Sequence, residues 1–472
     1  SECEKYDRHF VITQDEVRQF DAWFKAGEQD ALNGTTLQKD QFPDYEVPLS
    51  ILEWPAHGDP TLGQNYYLAP FYDRDEDGNY DPSQGDYPWY DIEKELDCSN
   101  DRTVTLYGDK TIWWVMNDKG NIHTETGGDP LGMEIRCQAF AFATNDAVNN
   151  MTFYNYELVN RSTQTLYNTY FGVFIDGALG GPNDDYVGCD VSRGLGYTYN
   201  GDAFDATDGG YLGYGSNPPA CGIDFFEGPY ADNDGLDNPL IESYPDAKAQ
   251  NGIPYSGLGI GFGDGVIDNE RFGMRRFIYM NRSGTGLGNF AADPTFGIDY
   301  YNYLRGIWKN GLNMQFGGNG HTTGSGVPTK YMFPGDTDPY GWAVYPNSLP
   351  SSEPWSEVSV GNPPEDRRFM QSAGPFILRP GAVNNITVGV VIGQSSETDL
   401  EAPVRALKAA DTKAQALFDN CFQLVEPPVA PELTIQEMEN ELLLFLSDPP
   451  GYDLQSYEEQ DRINIITPDE LI

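Results

Sequence analysis

Met133-Glu-Ile-Arg-Cys-Gln-Ala-Phe-Ala-Phe-Ala143, a short polar loop, and Met151-Thr-Phe-Tyr-Asn-Tyr-Glu-Leu-Val159 decide the fold. In the first stretch Ile135, Cys137, Ala139 and Ala141 share one face while Phe140 and Phe142 share the other, the period of two that a pleated strand imposes. Thr111-Ile-Trp-Trp-Val115 upstream reads as a buried strand. Leu166 to Ile175 follows after another short polar loop, the spacing of an antiparallel meander. Strand character returns at Gly374 to Leu378, then Arg379-Pro-Gly381 as a turn, then Asn385 to Ile392, which reads as a hairpin closing the sheets begun before residue 175. The expected fold is mainly β: an antiparallel β-sandwich carrying a long loop-rich insertion over 176–365, with one short helix over Asp299 to Trp308.

Outward from this centre, Thr13-Gln-Asp-Glu16 is a capping box, because the hydroxyl and the carboxylate satisfy each other's exposed backbone N–H groups. Val17, Phe20, Trp23 and Phe24 then recur at helical spacing, so an N-terminal helix is expected with these residues as its packing face. Residues 27–103 are rich in Pro, Gly, Asp and Tyr, with little periodicity. Thr398-Asp-Leu-Glu401 is a second capping box, and Val404, Leu407, Ala414, Leu417 and Phe418 mark the buried face of a helix over 398–422. Glu426-Pro-Pro-Val-Ala-Pro431 is a stiff linker, and Leu433 to Leu446 reads as two strands. The expected organisation is therefore 1–103, a helix and an irregular acidic segment; 104–425, the sandwich; 426–432, the linker; and 433–472, an incomplete β module.

The chain has 472 residues, with 73 Asp plus Glu against 28 Lys plus Arg, a formal net charge of -45. Such a charge makes nucleic acid and anionic membrane surfaces poor partners, and self-repulsion is large unless cations neutralise part of it. Aromatic residues at 13% supply the core that an acidic disordered chain lacks. No apolar run is long enough to span a bilayer, and Ser1-Glu-Cys3 lacks the apolar region of a signal peptide, so the numbering is expected to start after cleavage. Six cysteines (Cys3, Cys98, Cys137, Cys189, Cys221, Cys421) lie far apart without CxxC spacing, which disfavours a zinc knuckle and fits disulfides in an extracellular setting. Cys137, inside a strand, reads equally well as a buried thiol.

One stretch carries a ligand signal. Asp73-Arg-Asp-Glu-Asp-Gly-Asn-Tyr-Asp81 follows the opening of the calcium-loop pattern D-x-D-x-D-G, in which hard oxygen ligands suit a hard cation and the glycine permits the bend. Asp73, Asp75 and Asp77 are the expected direct ligands of Ca²⁺, Asn79 offers a carbonyl, and Asp81 a direct or water-bridged contact. Gln84 stands where the bidentate Glu belongs, leaving Asp86 to substitute. Weaker candidates are Asp176, Asp184, Asp185 and Asp190; Asp232, Asp234 and Asp237; and Asp264, Asp268 and Glu270, all in Asp/Asn/Gly-rich loops that also form turns without metal.

The order of Tyr72 to Pro82, Tyr107-Gly-Asp-Lys-Thr-Ile-Trp-Trp114, Asp184-Asp-Tyr-Val-Gly-Cys-Asp190, Asp366-Arg-Arg368 and Ser372-Ala-Gly-Pro-Phe376 with Arg379-Pro-Gly381 resembles large secreted surface proteins of Bacteroidota exported by the type IX secretion system. The similarity covers about 50–425, and 433–472 looks like the opening of a fibronectin type III module. The resemblance implies a secreted, cell-surface location and contact with the secretion machinery or other surface proteins.

No H-E-x-x-H, G-x-S-x-G or P-loop occurs, and His9, His57, His123 and His321 are scattered. Asp184 and Asp185 with Glu134 or Glu157 could imitate a glycosidase pair, but acidic pairs are common in such a chain. No catalytic residue is expected, and the expected function is a calcium-binding structural or adhesion protein. The alternative is a protein that binds or degrades polysaccharide, with Trp113, Trp114, Trp308 or Trp342 stacking on sugar rings; tryptophans at such strand positions more often fill the core.

Overall fold

The alternating runs form strands at β1 (Phe10–Thr13), β2 (Lys110–Asn117), β3 (Met133–Ala141), β4 (Thr152–Asn160), β5 (Leu166–Asp176), β6 (Asp185–Asp190), β7 (Leu195–Asn200), β8 (Ala220–Glu227), β9 (Arg276–Asn281), β10 (Arg367–Leu378) and β11 (Val383–Gly393). The structure, a computed structural model, describes residues 6–92, 105–120, 122–231, 233–239, 259–282, 288–338, 341–344, 354–424, 432–437 and 442–448. Eight strands make one antiparallel sheet in the order β1-β2-β3-β4-β11-β8-β7-β6, and β9-β10-β5 make a second.

The two sheets share one core, so the molecule is sandwich-like and mainly β. Register places Ile135 opposite Leu158, Tyr156 opposite Ile386, Tyr154 opposite Val388 and Ile223 opposite Val390. These rows pack in one apolar cluster with Phe277, Tyr279, Phe369, Met370 and Phe376 of the smaller sheet. The stretch 176–365 is loop-rich and also integral. It supplies β6, β7 and β8 to the large sheet and β9 to the small one, and it inserts Trp308, Tyr331 and Trp355 into the same cluster. The expected helix near 299–308 is present as α2 (Gly297–Leu304).

The expected hairpin across Arg379-Pro-Gly381 is corrected by the pairing. β10 joins β5 and β9, whereas β11 lies between β4 and β8, so this turn carries the chain from one sheet to the other. The chain makes the same crossing between β4 and β5. Fully buried Asn160 ties the two crossings together: its Nδ2 donates to the carbonyls of Leu378 at 2.9 Å and Gln164 at 2.8 Å, and its carbonyl accepts from Gly381 N–H at 2.8 Å. Turn residues alone do not distinguish a hairpin from a sheet crossing; the buried amide does.

The capping box is realised at α1 (Gln14–Asn33), where Glu16 N–H donates to Thr13 and Glu16 accepts from the Thr13 N–H. Val17 and Phe20 of α1 join Phe10, Ile12, Trp54, Tyr90 and Trp113 in a second apolar cluster. The irregular N-terminal segment is therefore anchored on β1 and β2. It belongs to a compact unit of 1–96 with 104–414, while 97–103 and 415–472 form another.

The second helix expected from sequence is α3 (Ala402–Asp419). Its backbone lies against Gly393, where an added Cβ would meet Leu407 N at 2.0 Å, so only glycine fits there. In the smaller unit, β12 (Glu432–Glu437) pairs with β13 (Leu442–Ser447), leaving Leu442, Leu444 and Leu446 exposed. The linker 426–431 lies outside the described residues. Among the described residues no helix is long and apolar enough to cross a membrane.

Candidate metal centre

The loop 73–86 is closed at its base by a two-residue ladder, Phe71 with Pro88 and Tyr72 with Tyr87, whose tyrosine rings stack at 4.8 Å. Glu76 and Gly78 take left-handed backbone conformations that fold the chain back, and Asp81 caps a short 3₁₀ turn by accepting from Ser83 N–H at 2.8 Å. These bends bring oxygens of Asp73, Asp75 and Asp86 within 4.8 Å of one another. Asp73 accepts from Gly78 N–H at 2.7 Å and Asp77 N–H at 3.2 Å. Asp86 is fully buried and accepts only backbone N–H groups, from Arg74 at 2.9 Å and Asp81 at 2.8 Å.

Three carboxylates this close repel. Burial pushes the Asp86 carboxyl up, and the charges of Asp73 and Asp75 add to the rise; desolvation and the charges of Asp77 and Asp73 push Asp75 up as well. The nearest guanidinium, Arg74, is turned away to Asp21 and Glu28, and among the described residues no ion pair involves Asp73, Asp75, Asp77, Asp81 or Asp86. An oxygen-rich, cation-free cluster of this kind suits a hard divalent ion.

The other residues selected from sequence do not join the cluster. Asp77 accepts from Asn79 N–H at 2.7 Å, the Asn79 side-chain oxygen accepts from the Tyr66 hydroxyl, and Asp81 is occupied as a cap. His57 carries no ligand signal in the sequence, where the four histidines are scattered. Here it stacks on Tyr66 at 4.1 Å and accepts from Tyr80 N–H at 2.8 Å, fixing one wall of the loop.

The weaker candidates scatter. Asp176 pairs with Arg368 at 3.0 Å, and buried Asp190 pairs with Lys408 at 2.9 Å, so both are structural ion pairs remote in role from a ligand set. Asp184 and Asp185 lie at the start of β6, where burial pushes the Asp185 carboxyl up to about 8. Asp232 lies outside the described residues. Asp237, Asp268 and Glu270 clasp two loops together by accepting backbone N–H groups across them, while Asp234 and Asp264 accept within their own turns. Asp268 accepts from Asp234 and Gly235 at 2.8 and 2.9 Å, and Asp237 accepts from Gly263 and Gly265 at 2.8 Å each. Asp264 accepts from Val266 N–H at 2.8 Å, and Glu270 from Asn238 N–H. Among the described residues only Asp73, Asp75 and Asp86 form a converging group of three.

Residues offered for chemistry or sugar stacking have structural roles. Glu134 and Glu157 flank Arg136 at 2.9 and 3.2 Å. Trp113, Trp308 and Trp342 are buried, and half-buried Trp114 packs edge-on against His9 at 5.4 Å. Cys137 is a free thiol buried in its strand, as one of its two sequence readings has it, and Cys189 and Cys221 are free as well; Cys421 is disulfide-bonded, and Cys3 and Cys98 lie outside the described residues. Fold and site define a mainly β, sandwich-like protein with one convergent acidic loop. No family model matches the chain, and no curated protein matches it.

Proposed function

We propose that the protein is a secreted, cell-surface-associated structural or adhesion protein whose loop at 73–86 binds Ca²⁺ through Asp73, Asp75 and Asp86. The observation that carries this reading is the convergence of those three carboxylates, one of them fully buried, with no cationic side chain among them. Bound calcium offsets their repulsion and adds a tie across the loop to the hydrogen bonds it makes with His57 and Tyr66. A contact role is supported by the ladder of Phe204–Asp205 with Gly215–Ser216, from which Phe204 (58% exposed), Tyr211 (62%), Leu212 (85%) and Tyr214 (58%) face solvent. Export by the type IX route, a fibronectin type III-like module at 433–472, and contact with the secretion machinery, other surface proteins or polysaccharide belong to the same proposal, on the strength of the sequence resemblance.

The test is thermal melting with calcium and with chelator. Calcium at about 100 times its Kd stabilises the folded state by about 2.7 kcal/mol. Chelation is expected to lower the Tm by about 3 °C for a unit of this size, and Asp73→Asn with Asp75→Asn to remove the larger part of that shift. Identical melts with and without chelator contradict the calcium reading.

A further inference from the structure

The two strands that open the stretch 176–365 hold a separate set of oxygens, and these are buried without donors. Asp185 of β6 stands directly opposite Asn200 of β7 in an antiparallel register, so their side chains are neighbours on one face of the sheet. Asp185 is 0% exposed and Asn200 3%. Asp185 Oδ2 accepts from Leu179 N–H at 3.1 Å, but its Oδ1 is buried with no donor. Asn200 Nδ2 donates to the Asp202 carbonyl at 2.9 Å, which leaves the Asn200 Oδ1 likewise buried with no donor. The Oδ1 of adjacent Asp184 is a third such atom.

The surroundings make the deficit electrostatic as well. Asp205, 1% exposed, adds its charge to Asp184 and Asp185 while accepting from Gly181 N–H at 2.9 Å and Tyr214 N–H at 2.6 Å. Repulsion among Asp184, Asp185, Asp202 and Asp205 adds to the effect of burial, and among the described residues no ion pair reaches any of the four. Buried acceptors without donors are costly. A proton on Asp185 would provide a donor, yet one proton satisfies one oxygen and leaves the others bare. A divalent cation takes carboxylate and amide oxygens together and also neutralises the charge, which is the ligand mixture Ca²⁺ accepts.

We propose that Asp184, Asp185 and Asn200, backed by Asp205, form a second calcium site at the open end of the β6–β7 hairpin. It shares no residue with the loop at 73–86, so the two sites fail or survive separately. The experiment counts calcium bound per chain by equilibrium dialysis with calcium alone, in the whole chain and in three variants. The wild type is expected to bind one ion more than either the Asp73→Asn, Asp75→Asn chain or the Asp185→Asn chain. Asn200→Ala, which keeps every carboxylate, is expected to weaken the second ion at least tenfold and serves if Asp185→Asn does not fold. The Asp73→Asn, Asp75→Asn chain should still melt at a higher temperature with calcium than with chelator. A wild-type count in both Asp185→Asn and Asn200→Ala overturns the second site, as does loss of all calcium binding and calcium-dependent melting in the Asp73→Asn, Asp75→Asn chain. A wild-type count in that last chain removes the loop at 73–86 and leaves this site standing.

Discussion

Replacing Asp411 by Asn should make the protein more stable at neutral pH and nearly unchanged at pH 4. Asp411 projects from α3 against Asp224 of β8, and both are essentially fully buried. Neither Asp224 oxygen, nor Asp411 Oδ1, meets a donor, while Asp411 Oδ2 accepts from Arg193 at 3.3 Å. Asp190 completes the group, paired with Lys408 at 2.9 Å and Arg193 at 3.7 Å. Three carboxylates therefore face two cations, and one shared proton balances the cluster. Burial raises both acids: Asp224 goes well above its ordinary value and Asp411 up to about 6. A folded-state value above the unfolded one means that the stabilisation is fully present below about pH 4 and is lost as pH rises through about 6. A rise of about 2 units from 3.8 corresponds to about 3 kcal/mol. With an unfolding entropy of about 2.1 cal/mol/K per residue over a unit of roughly 400 residues, that is about 3–4 °C in Tm. The assay is melting of the wild type and Asp411→Asn from pH 4 to 7.5. The difference between them, which cancels titrations common to both, should grow by about 3–4 °C in favour of the variant; parallel curves would refute the shared proton.

Trp308→Ala should cost about 3–5 kcal/mol by chemical denaturation, because Trp308 is fully buried against Tyr279 and Phe290 and its Nε1 donates to Gly320 O at 3.0 Å. A stable variant that has lost only polysaccharide binding would instead favour a sugar-stacking role. Asn160→Ala should cost about 3 kcal/mol, since it strips two buried carbonyls of their donor at both sheet crossings; a loss below about 1 kcal/mol would show that the crossings hold without it. Burial raises the thiols of Cys137 and Cys221 to about 12 and about 11 and that of Cys189 well above its ordinary value, so all three should resist a thiol reagent at pH 8 and react on unfolding. Rapid labelling of the folded chain would contradict that.

Much of the sheet was legible because Met133 to Ala143 and Met151 to Val159 each alternate with the period of two that a strand imposes. The sheet crossings were not, since Arg379-Pro-Gly381 suits a hairpin equally well and the deciding amide, Asn160, is distant in sequence. The helical stripe of Val404, Leu407 and Ala414 was readable, but Asp411 sits within it as a polar residue whose partner, Asp224, lies on another element. At the candidate metal centre, spacing pointed to Asp73, Asp75 and Asp77, with Asn79, Asp81 and, as a substitute, Asp86; of these the fold brings Asp73, Asp75 and Asp86 together. It could not show that Asp77 and Asp81 are taken up by turn hydrogen bonds and Asn79 by the Tyr66 hydroxyl, or that Asp86 is fully buried. Nor does local pattern reveal an oxygen left without a donor, which is why Asn200 emerges only from the folded chain.

Crystals grown in millimolar calcium and measured for anomalous scattering test the loop at 73–86 most directly. The account predicts a peak with oxygens of Asp73, Asp75 and Asp86 at about 2.3–2.6 Å, the ordinary calcium–oxygen distance. Clear density showing these carboxylates turned apart, with no peak between them, would contradict it.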